Sequence, residues 1–127
     1  MSKVYVASAF CNKAETRAVQ AALIAAGHTV SHDWTTEDAS HLEFKSPAYF
    51  EYLERCGEND LRGIINSTAV VVIAHEQMRD TLCEMGLAIG FGVPVYVLNP
   101  ERRHSVFYSQ TTPVAGVTDL LSVLENA

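Results

Sequence analysis

The sequence predicts a single three-layer α/β domain with a mostly parallel sheet, spanning residues 1–127. Three observations predict it. Short apolar runs of strand length alternate with stretches of helical spacing along the whole chain. One run, "TAVVVIA" at 68–74, is apolar almost throughout, the pattern of a strand covered on both faces. A chain of 127 residues, 48% of them hydrophobic, is large enough to bury one core without disulfides or a structural metal.

The elements follow in order. "KVYVASAF" at 3–10 is apolar and β-branched and reads as a buried strand. Asn12 stands where a helix cap belongs. Beyond it Ala18, Ala21, Ala22, Ile24 and Ala25 fall at helical spacing, and Gly27 ends the run. "HTVSHDW" at 28–34 alternates and predicts a second strand. "TTEDASHLEFKS" at 35–46 has no period and predicts a long loop. Ser46-Pro47 joins a capping hydroxyl to a proline at the first helical position, opening a helix to about Asn66.

After the strand at 68–74, "HEQMRD" predicts a loop and 81–91 a helix stopped by Gly92. "PVYVLN" predicts the next strand, and "TDLLSVLENA" a last helix capped by Thr118. This alternation belongs to doubly wound domains of the Rossmann or flavodoxin type, here with four to five strands. In such sheets ligands bind beyond the carboxyl ends of the strands. Those ends fall near residues 8–10, 33–34, 74–80 and Asn99.

Charge narrows the partners. The net charge is −6, with nine Lys and Arg in the chain. Nucleic-acid binders carry a basic patch, so neither a nucleic-acid polymer nor an anionic membrane surface is expected. The apolar run at the N-terminus is shorter than a signal peptide needs. No run approaches the roughly 20 apolar residues of a membrane span. Cys11, Cys56 and Cys83 are odd in number and match no zinc spacing, which predicts reduced thiols in a cytoplasmic protein.

Two carboxylates stand out. Thr81-Leu82-Cys83-Glu84 fits the capping-box pattern, in which the glutamate reaches back to a backbone N–H. Glu84 also opens the helix that follows a central strand, at the expected ligand crevice, where the helix dipole favours an ionised carboxylate, the form that a covalent catalyst on a sugar carbon must take. Asp60 recurs with Leu53, Cys56 and Ile64 at three- and four-residue steps, so it lies along an apolar stripe. A carboxylate there is paired, hydrogen-bonded or facing a cavity, with His75 as a candidate neighbour. Two carboxylates are the minimal apparatus of glycosyl chemistry: one attacks the sugar carbon and the other handles the leaving-group proton. Asp80 is a third carboxylate in reserve.

The loop "ASAFCNK" has small residues, Ala7, Ser8 and Ala9, that let a ligand approach the backbone. It is neither Gly-x-Gly-x-x-Gly nor a Walker loop, so a dinucleotide or nucleoside triphosphate is not supported. Phe10 and Trp34 either stack on a base or belong to the core. The five histidines show no metal-site spacing, His32-Asp33 reads as a surface pair, and no Gly-x-Ser-x-Gly elbow exists.

Four stretches then carry a likeness: "KVYVASAF", "NDLRGIINSTAVVVIA", "RDTLCEMGLAIGFGVPVYV" and the C-terminal helix. In these the chain resembles the nucleoside 2-deoxyribosyltransferase family, including its nucleoside 5′-monophosphate N-glycosidase branch. The resemblance implies that Glu84 is the catalytic nucleophile and that Asp60, after Asn59, assists departure of the base. It implies that Tyr5 and Ser8, Ala9 and Phe10 line the sugar and base, with Trp34, Asn59, Met78, Asp80 and Ser109 as further substrate contacts. It also implies a small-molecule nucleoside or nucleotide as partner, no metal or organic cofactor, and a homodimer or larger homo-oligomer. Residues 78–82 are bulkier and more charged than in many relatives, and Cys11 stands near an arginine position of the monophosphate-cleaving branch. The sequence therefore predicts an N-glycosidic enzyme of the transferase or hydrolase type. The rival is a nucleotide- or nucleoside-binding module that has kept this fold without the chemistry. A hydrolase of another nucleotide-sugar bond rests on fold analogy alone.

Overall fold

The computed structural model describes residues 1–127. Five strands form one sheet: β1 (Lys3–Ala7), β2 (Thr29–Val30), β3 (Ala69–Ile73), β4 (Val95–Leu98) and β5 (Thr112–Pro113). All pairings are parallel, in the order β2-β1-β3-β4-β5. Parallel neighbours need crossover connections. Three are supplied by α1 (Lys13–Ala25), α2 (Pro47–Ile65) and α3 (Asp80–Gly90); the fourth, from β4 to β5, holds two 3-10 turns (Pro100–Arg102 and Val106–Gln110), and α4 (Val117–Glu125) closes the chain.

Strand alternation sorts the core into two layers. Val4, Val6, Val71 and Ile73 face Val19 and Leu23 of α1 and Leu120 and Leu124 of α4. Tyr5, Ala7, Val70 and Val72 face Ile64 of α2 and Met85 and Ala88 of α3. With both faces covered, every residue of β3 is buried, which is why "TAVVVIA" shows no polar alternation.

The predicted helix stops hold, by one device used twice. Gly27 and Gly92 take positive φ, +91° and +75°, just past α1 and α3. Next to each, a 6→1 bond closes the helix: His28 N–H to Leu23 O at 3.0 Å and Val93 N–H to Ala88 O at 2.9 Å. Ser46 caps α2 as expected, accepting from Tyr49 N–H at 3.2 Å ahead of Pro47.

Other boundaries differ from the sequence reading, each for a local reason. The second strand was expected over 28–34, but only Thr29 and Val30 pair with β1. Asp33 accepts from the Thr35 N–H at 3.0 Å and folds Trp34–Thr36 into a 3-10 turn, so the chain leaves the sheet early. Asn12 occupies the cap position of α1 without capping, and its amide donates to Ser8 Oγ at 3.0 Å. α4 starts at Val117, with Gly116 and not Thr118 at the cap position. β5 has two exposed residues, one a proline, and left no periodic signal. No helix is long and apolar enough to cross a membrane.

Gly63 sets how closely α2 approaches β1. A Cβ there would lie 2.8 Å from His32 Cβ and 3.1 Å from Tyr5 Cδ2. Gly63→Ala is therefore expected to destabilise the fold by about 1–3 kcal/mol, through overpacking. Urea unfolding checks this, and an unchanged midpoint would mean that α2 retreats freely.

Candidate active site

From β1 the chain steps outward to β2, then returns across β1 to reach β3. The strand order thus reverses between β1 and β3, and ligands settle at such switch points in doubly wound sheets. A cavity of about 780 Å³ opens there, within the size range of small-molecule sites. Four segments line it. Ser8, Ala9 and Phe10 follow β1, and Trp34, Glu37 and Asp38 follow β2. Tyr49, Tyr52, Cys56 and Asp60 come from one face of α2, and Arg79, Asp80, Thr81 and Glu84 from the start of α3.

Ser8 joins the two strand ends, since its buried hydroxyl donates to Ile73 O at 2.9 Å. Trp34 is buried and its Nε1–H donates to Val6 O at 2.7 Å, fixing the ring against the wall. Phe10 is 63% exposed, which removes its core reading. The 3-10 turn after β1 carries it outward, beside Trp34 at a centroid distance of 6.3 Å, with Lys13 Nζ 4.2 Å from its ring centre.

Glu84 does not cap its helix. The capping box requires Thr81 at the cap position, but Arg79 stands there and α3 begins at Asp80, two residues early, so Glu84 lies in the second turn. Its carboxylate accepts from the Tyr5 hydroxyl. Tyr5 is fully buried on β1 beneath the cavity. Burial pushes Glu84 up to about 7; the Tyr5 hydrogen bond opposes this, and Asp80 and Glu37 add to it. Burial outweighs the hydrogen bond. Burial and the neighbouring Glu84 also hold the Tyr5 phenol well above its usual range, so it stays a donor.

Asp60 projects from the inward face of α2. Burial first, then Glu37 and Glu84, push it up to about 8. Its neighbour is His32 rather than His75. His32 Nε2 lies 3.3 Å from Asp60 Oδ1 and 3.1 Å from Glu37 Oε2. The expected surface pair His32-Asp33 is split: Asp33 turns to Thr35 and Gln20, and His32 turns to the two carboxylates. The ligand-type atoms of His32, Glu37 and Asp60 lie within 4.8 Å of one another. That spacing would admit a cation or a shared proton, and the two short contacts are hydrogen-bond distances.

The remaining candidates sit away from the cavity wall. Met78 is buried in the core, its sulfur 4.0 Å from the Tyr108 hydroxyl. Asn59 is exposed on α2, and Ser109 is exposed with its hydroxyl donating to Val106 O at 2.9 Å. The sequence reading passed over Tyr49, Tyr52 and Glu37. The two tyrosines continue the Cys56–Asp60 stripe towards the start of α2, so the helical period already contained them. Glu37 lies in an aperiodic loop positioned by the Asp33 turn, and nothing in the local sequence marked it.

Solved structures share this architecture. The chain matches a 2-deoxyribosyltransferase from the psychrotolerant bacterium Bacillus psychrosaccharolyticus with a TM-score of 0.75 and 24% identity, over 94% of this chain and 90% of that one. It also matches the Clostridium botulinum CMP N-glycosidase BcmB with a TM-score of 0.57 and 16% identity, over 98% of this chain and 99% of that one. This chain has their fold. No protein-family model and no curated protein matches the sequence.

Proposed function

We propose that the protein cleaves the N-glycosidic bond of a (deoxy)nucleoside or nucleoside 5′-monophosphate and passes the sugar to another base or to water. The observation that carries this reading is the cavity itself. Glu84, held by Tyr5, and Asp60 enter one pocket from two helices at the β1/β3 switch point. Two of the proteins that share the fold are a 2-deoxyribosyltransferase and a CMP N-glycosidase, which supports the same substrate class here.

The chemistry runs in two halves. A Glu84 carboxylate oxygen attacks C1′, and the C1′–N bond breaks with its electron pair going to the base. Asp60 gives its proton to the departing base nitrogen. A glycosyl ester on Glu84 remains. A second base, or water, attacks C1′ from the vacated side, Asp60 takes back a proton, and Glu84 is released as carboxylate. Proton and electron pair are both accommodated, so the reaction as written uses no metal or organic cofactor. Ser8, Ala9, Phe10, Trp34 and Asp80 line the substrate cavity.

A panel of nucleosides and monophosphates, with and without a second base, tests the reading by chromatography of released base. Base release supports it. Saturable binding without release of any base would instead favour a silent binding module.

The two raised carboxyls fix the expected pH profile. Glu84 must be ionised to attack, so kcat/KM rises with pH through about 7. Asp60 must be protonated to donate, so kcat/KM falls through about 8. A narrow bell between these limbs is expected, and a flat profile across this window would contradict the assignment.

A further inference from the structure

Glu37 and His32 touch Asp60 but take no part in making or breaking the glycosidic bond. His32 Nε2 stands 3.1 Å from Glu37 Oε2 and 3.3 Å from Asp60 Oδ1. Were both carboxyls ionised, both would be acceptors for this nitrogen, and its one hydrogen would satisfy only one of them at a time. The shorter contact goes to Glu37. Asp60 Oδ1 is then buried with no hydrogen-bond partner. An ionised oxygen left bare in such a place is costly. A second carboxylate within 4.8 Å adds like-charge repulsion. One proton on Asp60 relieves both.

We infer that Glu37, which draws the His32 hydrogen to itself and sets its own carboxylate beside Asp60, holds Asp60 in its acid form and so readies it to protonate the departing base. The inference rests on the N-glycosidic reading above and makes Glu37 a positioning residue. The other groups facing Asp60 are Cys56 one turn earlier on α2, Tyr5 from β1, and Glu84 and Asp80 from α3. None of them is a lysine or arginine that would favour the ionised form. The arrangement also times the proton transfer. As Glu84 enters the glycosyl ester its charge disappears, so Asp60 becomes a stronger acid at the step where the base needs the proton.

The test follows the Asp60 carboxyl carbon by 13C NMR through a pH titration of wild type, Glu37→Gln and Glu37→Asp, with Asp60→Asn used to assign the resonance. The Asp60 midpoint is expected to fall by about one pH unit or more in Glu37→Gln and to stay near wild type in Glu37→Asp. The alkaline limb of kcat/KM should move down with it for an ordinary purine nucleoside. A 7-methylated purine nucleoside, whose base leaves without a proton, should lose markedly less activity than the ordinary one, with no shift of its alkaline limb. An unchanged Asp60 midpoint in folded Glu37→Gln overturns the inference. So does an equal loss on both substrates with no shift of the limb, which is what a merely structural role would give. If wild type releases no base from any substrate, the N-glycosidic reading falls, and the NMR midpoint still decides whether Glu37 holds the Asp60 proton.

Discussion

Glu84→Gln is expected to lower kcat/KM for base release by about a thousandfold or more, on every substrate the wild type cleaves. The amide keeps the shape of the side chain and can still accept the Tyr5 hydroxyl, so the cavity should persist. What it removes is the anionic oxygen that bonds to C1′. Full base release by Glu84→Gln or Glu84→Ala would end the nucleophile assignment.

The same variant should be more stable than wild type at pH 8, and this separates lost chemistry from lost folding. Glu84 is held up to about 7 by burial, so between its unfolded value and about 7 the folded chain keeps a proton that the unfolded chain releases. Stability therefore falls as pH rises through that window, and the full cost of ionising Glu84 in the fold is present at pH 8. Glutamine never ionises and escapes that cost. The gain should vanish as pH drops below the unfolded value. A site that weakens its own fold is a common sign of function in a chain otherwise locally consistent.

The sequence made the fold legible because its signals were periodic. Alternating apolar runs, a doubly covered β3, and Gly27 and Gly92 at helix ends each act through a few neighbouring residues. The site was legible only where it lay on those elements. Asp60 was marked by a polar residue on an apolar helical stripe, and Glu84 by its place after a central strand. The capping-box pattern around Glu84 misled because it depends on which residue caps the helix, and Arg79 in place of Thr81 at the cap shifts the glutamate into the second turn. His32 and Glu37 were hidden for a different reason. Their meeting with Asp60 depends on the Asp33 turn that ends β2 after two residues and on the close seating of α2 at Gly63. These are contacts between segments far apart in the chain, and no local pattern encodes them.

Asp60→Asn is expected to separate the two halves of the apparatus. An asparagine amide fits the same space but cannot give up a proton at neutral pH. For nucleosides whose base must be protonated to leave, kcat/KM should fall by about 10²–10⁴-fold, the range of a lost general acid. For a 7-methylated purine nucleoside the base departs as a neutral molecule without a proton, and the loss should be far smaller. Glu84→Gln makes the opposite forecast, an equally severe loss on both substrates, because attack at C1′ is needed whatever the leaving group. The comparison is a free-energy difference between leaving groups, so it cancels uniform effects on binding or folded fraction. If Asp60→Asn loses activity equally on both, Asp60 orients the substrate and does not protonate the base. The proton would then have to come from another group in the cavity, and Asp80 and Glu37 are the lining carboxyls whose charges act on Glu84.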